Sequence, residues 1–234
     1  MASLATDKPN PSITPRHLGL ILDGNRRWAK QQGIATLEGH RAGYSNLKKI
    51  SKVAFKRGIS FLSAYAFSTE NWNRSKEEVK YLMDLLLWVA THEAAEMHKE
   101  QIRIRFIGSS ERLDPKIIDA IRKAEELTAG NTKGTLALCV NYGGQQELVD
   151  AFKTMAANGI GSEVTTQTVS DYLYAPDIPP LDLIIRTSGE QRLSNFILVR
   201  AAYAELLCFQ KHWPDFSESE LESAWAEYAV RQRS

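Results

Sequence analysis

His17-Leu18-Gly19-Leu20-Ile21-Leu22-Asp23-Gly24-Asn25-Arg26-Arg27-Trp28 changes character at its middle. Leu18, Leu20, Ile21 and Leu22 form the short apolar run of a strand in a sheet covered on both faces. Asp23-Gly24-Asn25 are turn residues, and the polar segment after them is helix-competent. Asp23 is therefore expected at a strand's carboxyl end, where open α/β sheets collect ligands and a helix start offers unpaired N–H groups to an anion. Arg26 and Arg27 add charge for that anion. Asp23 repels a phosphate unless a hard cation bridges the two, so the pairing points to magnesium and a diphosphate. The three turn residues also fit a plain N-capped turn beside solvated arginines, and the stretch alone does not separate these readings. It lacks the glycine and Lys-Ser/Thr spacing of a nucleotide P-loop.

Working outward, strand and helix alternate. Gln31-Gln32-Gly33 stops the first helix; Tyr44, Leu47, Ile50, Val53 and Ala54 recur at helical spacing until Gly58. A strand over 59–67 leads into the polar Ser68-Thr69-Glu70-Asn71-Trp72-Asn73-Arg74. Ser75 and Glu78 have capping-box spacing, opening a helix whose apolar arc includes Leu82, Met83, Leu86 and Val89. An arc that wide either walls a hydrophobic cleft or is buried between neighbours. Strands are expected over 102–107, 135–141, 181–185 and 204–209, and helices over 115–128, 147–157, 169–174 and 217–230. The pattern predicts an α/β fold with a mainly parallel sheet of about six strands flanked by helices. Polar clusters follow the first, second, fourth and penultimate strands, so they should lie along one edge as one site.

At 234 residues with 43% hydrophobic and 24% charged residues, the chain reads as an ordinary soluble globular protein. No repeat or linker divides it: a flexible arm over 1–16 and a single catalytic domain over 17–234 are expected. A net charge of +1 gives no global reason to expect nucleic acid. Cys139 and Cys208 lie in apolar runs and read as buried thiols of a reducing compartment. With no hydrophobic signal segment and no apolar run near the ~18 residues of a membrane span, the expected location is cytoplasmic. His92, Glu93 and His98 do not have the spacing of a zinc helix.

By residue type, Asp23 and Glu205 are carboxylates for a divalent cation. Arg26, Arg27, Arg74, Arg186 and Arg192 are permanent cations whose forks suit phosphate oxygens, and Ser194 adds a hydroxyl. Two diphosphates fit such a set. Asp23-Gly24-Asn25-Arg26-Arg27-Trp28, Gly39-His40-Arg41-Ala42-Gly43, the 68–74 segment, Asn141-Tyr142-Gly143-Gly144, Arg186-Thr187-Ser188-Gly189-Glu190, Arg192-Leu193-Ser194-Asn195-Phe196 and Trp213-Pro214-Asp215-Phe216 together resemble the cis-prenyltransferases, which include undecaprenyl diphosphate synthase. The similarity runs in the family's order over nearly the whole chain.

The resemblance implies Mg2+-dependent condensation of isopentenyl diphosphate onto an allylic diphosphate, typically farnesyl diphosphate, to a Z-polyprenyl diphosphate of the undecaprenyl lipid-carrier type. A shorter-chain synthase or a non-catalytic partner subunit is the alternative. It implies Asp23 as the magnesium-linked carboxylate, with Ser68 and Asn71 near the proton removed from isopentenyl diphosphate. Gly24, Asn25, Arg26, Arg27, Trp28, His40 and Arg74 fall to the allylic diphosphate. Arg186, Arg192, Ser194 and Trp72 fall to isopentenyl diphosphate, and Glu205, across a homodimer interface, to a second magnesium contact. A dry tunnel is expected along Tyr81 to Val89 over the 61–67 strand. The dimer is expected to bury the apolar segment Phe196-Ile197-Leu198-Val199 with Ala201, Ala202 and Tyr203, with Arg200 finding a carboxylate or the rim. Peripheral membrane contact through the lipid product is expected. Thr36, Gln145, Gln191, Val199-Arg200, a shortened 158–170 region and the ending Arg231-Gln232-Arg233-Ser234 depart from the family pattern.

Overall fold

In the computed structural model, which describes residues 14–231, His17–Ile21 forms β1 and all five residues are buried. Parallel neighbours flank it: Leu18 lies opposite Leu62 of β2 (Phe61–Ser68) and Leu183 of β5 (Leu183–Arg186). With β3 (Ile102–Ile107), β4 (Gly134–Tyr142) and β6 (Glu205–Cys208), the order is β3-β4-β2-β1-β5-β6, parallel throughout. The expected six-stranded α/β domain is therefore present. β1, β2, β4 and β5 are contiguous, so the four polar clusters do share one edge.

Burial on both faces explains the strands' continuous apolar character. One core joins Leu18, Leu20, Leu62 and Ala64 to α2 (Thr36–Lys56), α3 (Lys76–Trp88), α4 (Ala94–Lys99), α5 (Pro115–Thr128) and α8 (Glu218–Val230) through residues such as Ile50, Leu86, Met97, Ile117 and Leu221. The other joins Ile21, Cys139 and Ile184 to Leu181, Phe196 and Ile197. The remaining helices are α1 (Asn25–Gln32), α6 (Gly144–Ala157) and α7 (Thr166–Tyr172). A single π-helical turn, Val89–Glu93, joins α3 to α4. Residues 69–73, expected as a loop, form a 3-10 turn.

Three further expectations change, and the one for Arg200 holds. Residues 1–13 and 232–234 lie outside the described residues, but the Arg16 carbonyl accepts from the N–H groups of Ser60 (3.1 Å) and Phe61 (3.0 Å), so Arg16 belongs with the sheet rather than an arm. Ser75 caps α3 by accepting from the Glu78 N–H (3.2 Å), yet the Glu78 carboxylate does not complete a box, because it turns inward to His40 and Arg74. Phe196 and Ile197, expected at a dimer interface, are fully buried in the chain's own second core. Arg200 is 5% exposed and finds its carboxylate within the same chain: it donates to Glu147 (3.1 Å) and to the carbonyls of Ile178, Tyr174 and Ala175.

Candidate active site

The turn after β1 is held from three sides. The Asp23 carbonyl accepts from Thr187 Oγ1 (2.7 Å), Ser188 Oγ (3.1 Å) and the Trp213 N–H (3.0 Å). Gly24 has φ +105, and a Cβ there would stand 2.0 Å from Ser188 Oγ, so only glycine fits. The Asp23 carboxylate therefore faces the end of β5, where Arg186 Nη2 donates to Oδ2 (2.9 Å), while Arg27 Nη2 meets Oδ1 at 3.1 Å from one turn along α1. Arg186 is buried and also donates to Ser194 Oγ (2.7 Å) and the Arg192 carbonyl. Glu190 accepts from Arg192 (2.6 Å) and Arg27 (3.2 Å). Arg192 beside it, then Arg27, hold the half-buried Glu190 carboxyl below its ordinary range. Asp23, Arg27, Arg186, Arg192 and Ser194 thus form one connected charged group.

A second group centres on buried Glu78. Its carboxylate accepts from His40 Nε2 (2.9 Å) and Arg74 Nη1 (2.8 Å), and Arg26 approaches to 3.9 Å. Burial pushes the Glu78 carboxyl up, but the His40 hydrogen bond and the Arg74 and Arg26 charges outweigh it and leave it below the usual range. Burial lowers His40 more than the contact with Glu78 raises it. The pair is therefore a neutral imidazole donating to a carboxylate, which fixes the ring and ties the starts of α2 and α3 together.

The 68–74 segment forms the third part. Ser68 and Asn71 bond reciprocally, each side chain engaging the other's backbone N–H. The Trp72 indole N–H donates to Asn141 Oδ1 at the end of β4 (2.7 Å). Asn195, after the Arg192–Ser194 stretch, donates to Glu70 (3.2 Å) and accepts at its Oδ1 from the Gln145 N–H (2.9 Å). The pairing of β2 with β4 shifts register between Tyr65 and Ser68, and such an irregularity re-aims the residues at a strand's end.

Between the first two groups lies a polar cleft of about 690 Å³ walled by Asp23, Gly24, Arg26, Arg27, His40 and Arg74, within the range of small-molecule sites. Leu22, Asn25 and His40 also line an adjoining apolar cavity of about 100 Å³, walled by Tyr44, Leu47, Phe67, Leu82, Met83, Leu86 and Val89. The broad apolar arc of α3 thus faces a cavity over β2 and β4, beside Leu22 just past β1. A charged vestibule leading into an apolar recess suits an ionic head joined to a hydrocarbon tail.

Of the expected site residues, Asp23, Gly24, Asn25, Arg26, Arg27, His40 and Arg74 wall this cleft; Arg186, with Ser194 and Arg192 beside it, joins it through Asp23; Ser68, Asn71 and Trp72 stand on the 68–74 segment next to Arg74 without walling it; Trp28 and Glu205 lie apart. The Trp28 indole donates to Asp215 (2.8 Å) and is not among the residues walling the cleft. Glu205 lies at the opposite end of the sheet: it pairs with Leu183, about 10 Å back along the strands from Arg186, and Arg231 occupies its carboxylate. Glu78 and Lys30 belong to the site or its walls without having been assigned to it from sequence, and Thr36, a departure from the family pattern, walls the cleft as well. Among the described residues no three His, Cys, Asp or Glu side chains cluster to cage a metal. The donor set nevertheless suits Mg2+, which is commonly held by one or two carboxylates together with substrate phosphates. Asp23 is one carboxylate, partly exposed at such a cleft.

The model of the undecaprenyl diphosphate synthase family of prenyltransferases matches residues 21–234. The chain is 46% identical over 226 residues to the trans,polycis-polyprenyl diphosphate synthase ((2Z,6E)-farnesyl diphosphate specific) of Thermobifida fusca, covering 94% of this chain and 80% of the relative. It is 44% identical to the decaprenyl diphosphate synthase of Mycobacterium bovis, covering 94% and 76%. Its fold superimposes with a TM-score of 0.91, at 37% identity and with 95% and 98% coverage, on the lavandulyl diphosphate synthase of Lavandula x intermedia crystallised with dimethylallyl diphosphate.

Proposed function

Because the chain belongs to the undecaprenyl diphosphate synthase family of cis-prenyltransferases, we propose that it condenses isopentenyl diphosphate onto an allylic diphosphate to give a Z-polyprenyl diphosphate. The observation that carries this reading is the arginine- and Asp23-lined cleft opening into the α2–α3 apolar cavity. Arg26, Arg27, Arg74, His40 and the Gly24–Asn25 turn receive the allylic diphosphate, and Arg186, Arg192 and Ser194 that of isopentenyl diphosphate. As the allylic C–O bond breaks, negative charge grows on the departing diphosphate, and fixed guanidinium groups stabilise it without reorganising. The new bond forms at the allylic carbon. The proton that isopentenyl diphosphate then loses leaves near Ser68 and Asn71, whose mutual hydrogen bonds hold them in place. Mg2+, held by Asp23 with substrate phosphates, would supply further charge neutralisation at the leaving group. The apolar cavity keeps water from the electron-poor carbon and receives the growing tail.

The product is proposed to be long-chain, of the undecaprenyl lipid-carrier type. One observation favours a shorter product as the second reading: a cavity of about 100 Å³ falls below the ~300–1,000 Å³ of small-molecule sites, so a long tail needs α2 and α3 to part. Among the described residues no helix is long and apolar enough to cross a membrane, and we propose peripheral contact through the lipid product. Incubating the protein with Mg2+, labelled isopentenyl diphosphate and farnesyl diphosphate or shorter allylic primers, with chromatography of the products, tests activity and length together. Absence of incorporation with every primer would sink the enzymatic reading in favour of a non-catalytic partner subunit.

A further inference from the structure

The turn after β3 contributes to the site without supplying any residue to the cleft. Ser109 and Glu111 present their carbonyls to Asn141 Nδ2 (2.9 and 2.7 Å), while the Ser109 N–H donates to the Asn141 carbonyl (3.3 Å). Asn141 and Arg112 both have positive φ, +47 and +67, conformations that persist where surroundings over-determine them. Gly108 packs so closely on β4 that a Cβ there would stand 1.8 Å from the Val140 carbonyl. The turn is thus clamped onto the end of β4, and it delivers the Arg112 guanidinium over the face of Trp72, 4.3 Å from the ring centroid. The indole is then held at three points: Arg112 on its face, Asn141 at its N–H, and Phe67 edge-on with ring centroids 5.0 Å apart. Among the described residues Arg112 has no ion-pair partner, although the chain's arginines commonly find carboxylates. Trp72 lies one residue from Asn71 and two from Arg74.

We propose that Arg112 is a positioning residue for the reaction: it acts through Trp72, pinning the 69–73 turn so that Ser68, Asn71 and Arg74 are presented to the two diphosphates in register. It contacts neither substrate. The role rests on the proposed synthase activity, but the contact itself is measurable without it. Glutamine at 112 keeps comparable polarity and removes the charge over the ring, while lysine keeps a cation there.

Arg112→Gln is expected to change the tryptophan emission spectrum, Arg112→Lys to restore it largely, and the change to vanish in a Trp72→Phe background. In steady-state kinetics Arg112→Gln should lower kcat/KM for isopentenyl diphosphate about fivefold, the scale of one cation–π contact. Adding it to Trp72→Leu, which offers the cation no ring face, should lower it no further than Trp72→Leu alone. Emission identical to wild type, or a change that survives in Trp72→Phe, overturns the contact whether or not the protein is active. Equal losses in the two backgrounds overturn the mechanism while leaving the synthase reading intact. Total inactivity of the wild type with an emission change confined to Trp72 would overturn the positioning role through the function, not through the geometry.

Discussion

Asp23 illustrates how structure alters what a residue is expected to do when removed. From sequence, Asp23→Ala takes a charge from a turn and leaves the fold intact. In the structure the carboxylate is the counter-charge of buried Arg186, so the same change strands a guanidinium. We expect at least a hundredfold loss of kcat at saturating Mg2+, the scale of one preorganised electrostatic group, with a stability loss of ~1–3 kcal/mol in denaturant titrations. Near-normal turnover would remove Asp23 from the mechanism. Glu78 shows why one site residue was not legible. Ser75 and Glu78 have the same spacing as Ser217 and Glu220, and in the latter pair the Ser217 N–H does donate to Glu220 Oε2 (2.8 Å). Sequence spacing reports the local option only; His40, 38 residues away, outcompetes it for Glu78. Glu78→Gln should raise KM for the allylic diphosphate, because Arg74 and His40 lose their shared anion. An unchanged KM would restrict Glu78 to a structural part.

The elements were the most readable level where burial is two-sided. β1 and β4 are largely apolar and buried throughout, and Asp114, Ser217 and Gly33 mark helix ends as their chemistry dictates. The register shift near Ser68 and the π-helical turn at Val89–Glu93 were not readable, since each depends on how strands and helices meet in space. Gly24 links this level to the site. With φ +105 and Ser188 Oγ and His212 in the space a Cβ would take, Gly24→Ala must shift the β1–α1 turn. Melting should reveal a loss of ~1–3 kcal/mol, and activity should fall further than that loss explains, because Asp23 moves with its neighbour. A variant with wild-type stability and turnover would show that the turn does not set Asp23's position.

At the scale of the molecule, buried polar groups couple stability to pH. His17 is fully buried, its Nδ1 against the Pro179 carbonyl (2.8 Å) and its Nε2 against Ser63 Oγ (2.8 Å), a pattern that fits the neutral ring. Burial takes it from its usual 6.5 to about 4 despite those carbonyls. The unfolded chain therefore binds the proton first. This group's contribution is complete above about pH 6.5 and is lost as the pH falls towards about 4, on the order of 3 kcal/mol in all. His40, shifted the same way, adds to the decline. Denaturant midpoints unchanged between pH 7 and pH 5 would contradict it. Assembly was the least legible level, because the segment expected at an interface divides: Phe196, Ile197 and Ala201 are core, while Ala202 and Tyr203 face outward. Outward-facing apolar groups remain: Leu148, Val149 and Phe152 on α6, and Tyr203, which is 95% exposed. We propose that they pair chains two-fold, so that each Glu205, remote from Asp23 in its own chain, reaches the partner's site. Mixing inactive Asp23→Ala and Glu205→Ala chains is then decisive. A mixed dimer has one site lacking both carboxylates and one retaining both, so equal mixing should restore about a quarter of wild-type activity. If Glu205 serves its own chain's site, or the protein is monomeric by light scattering, no activity returns.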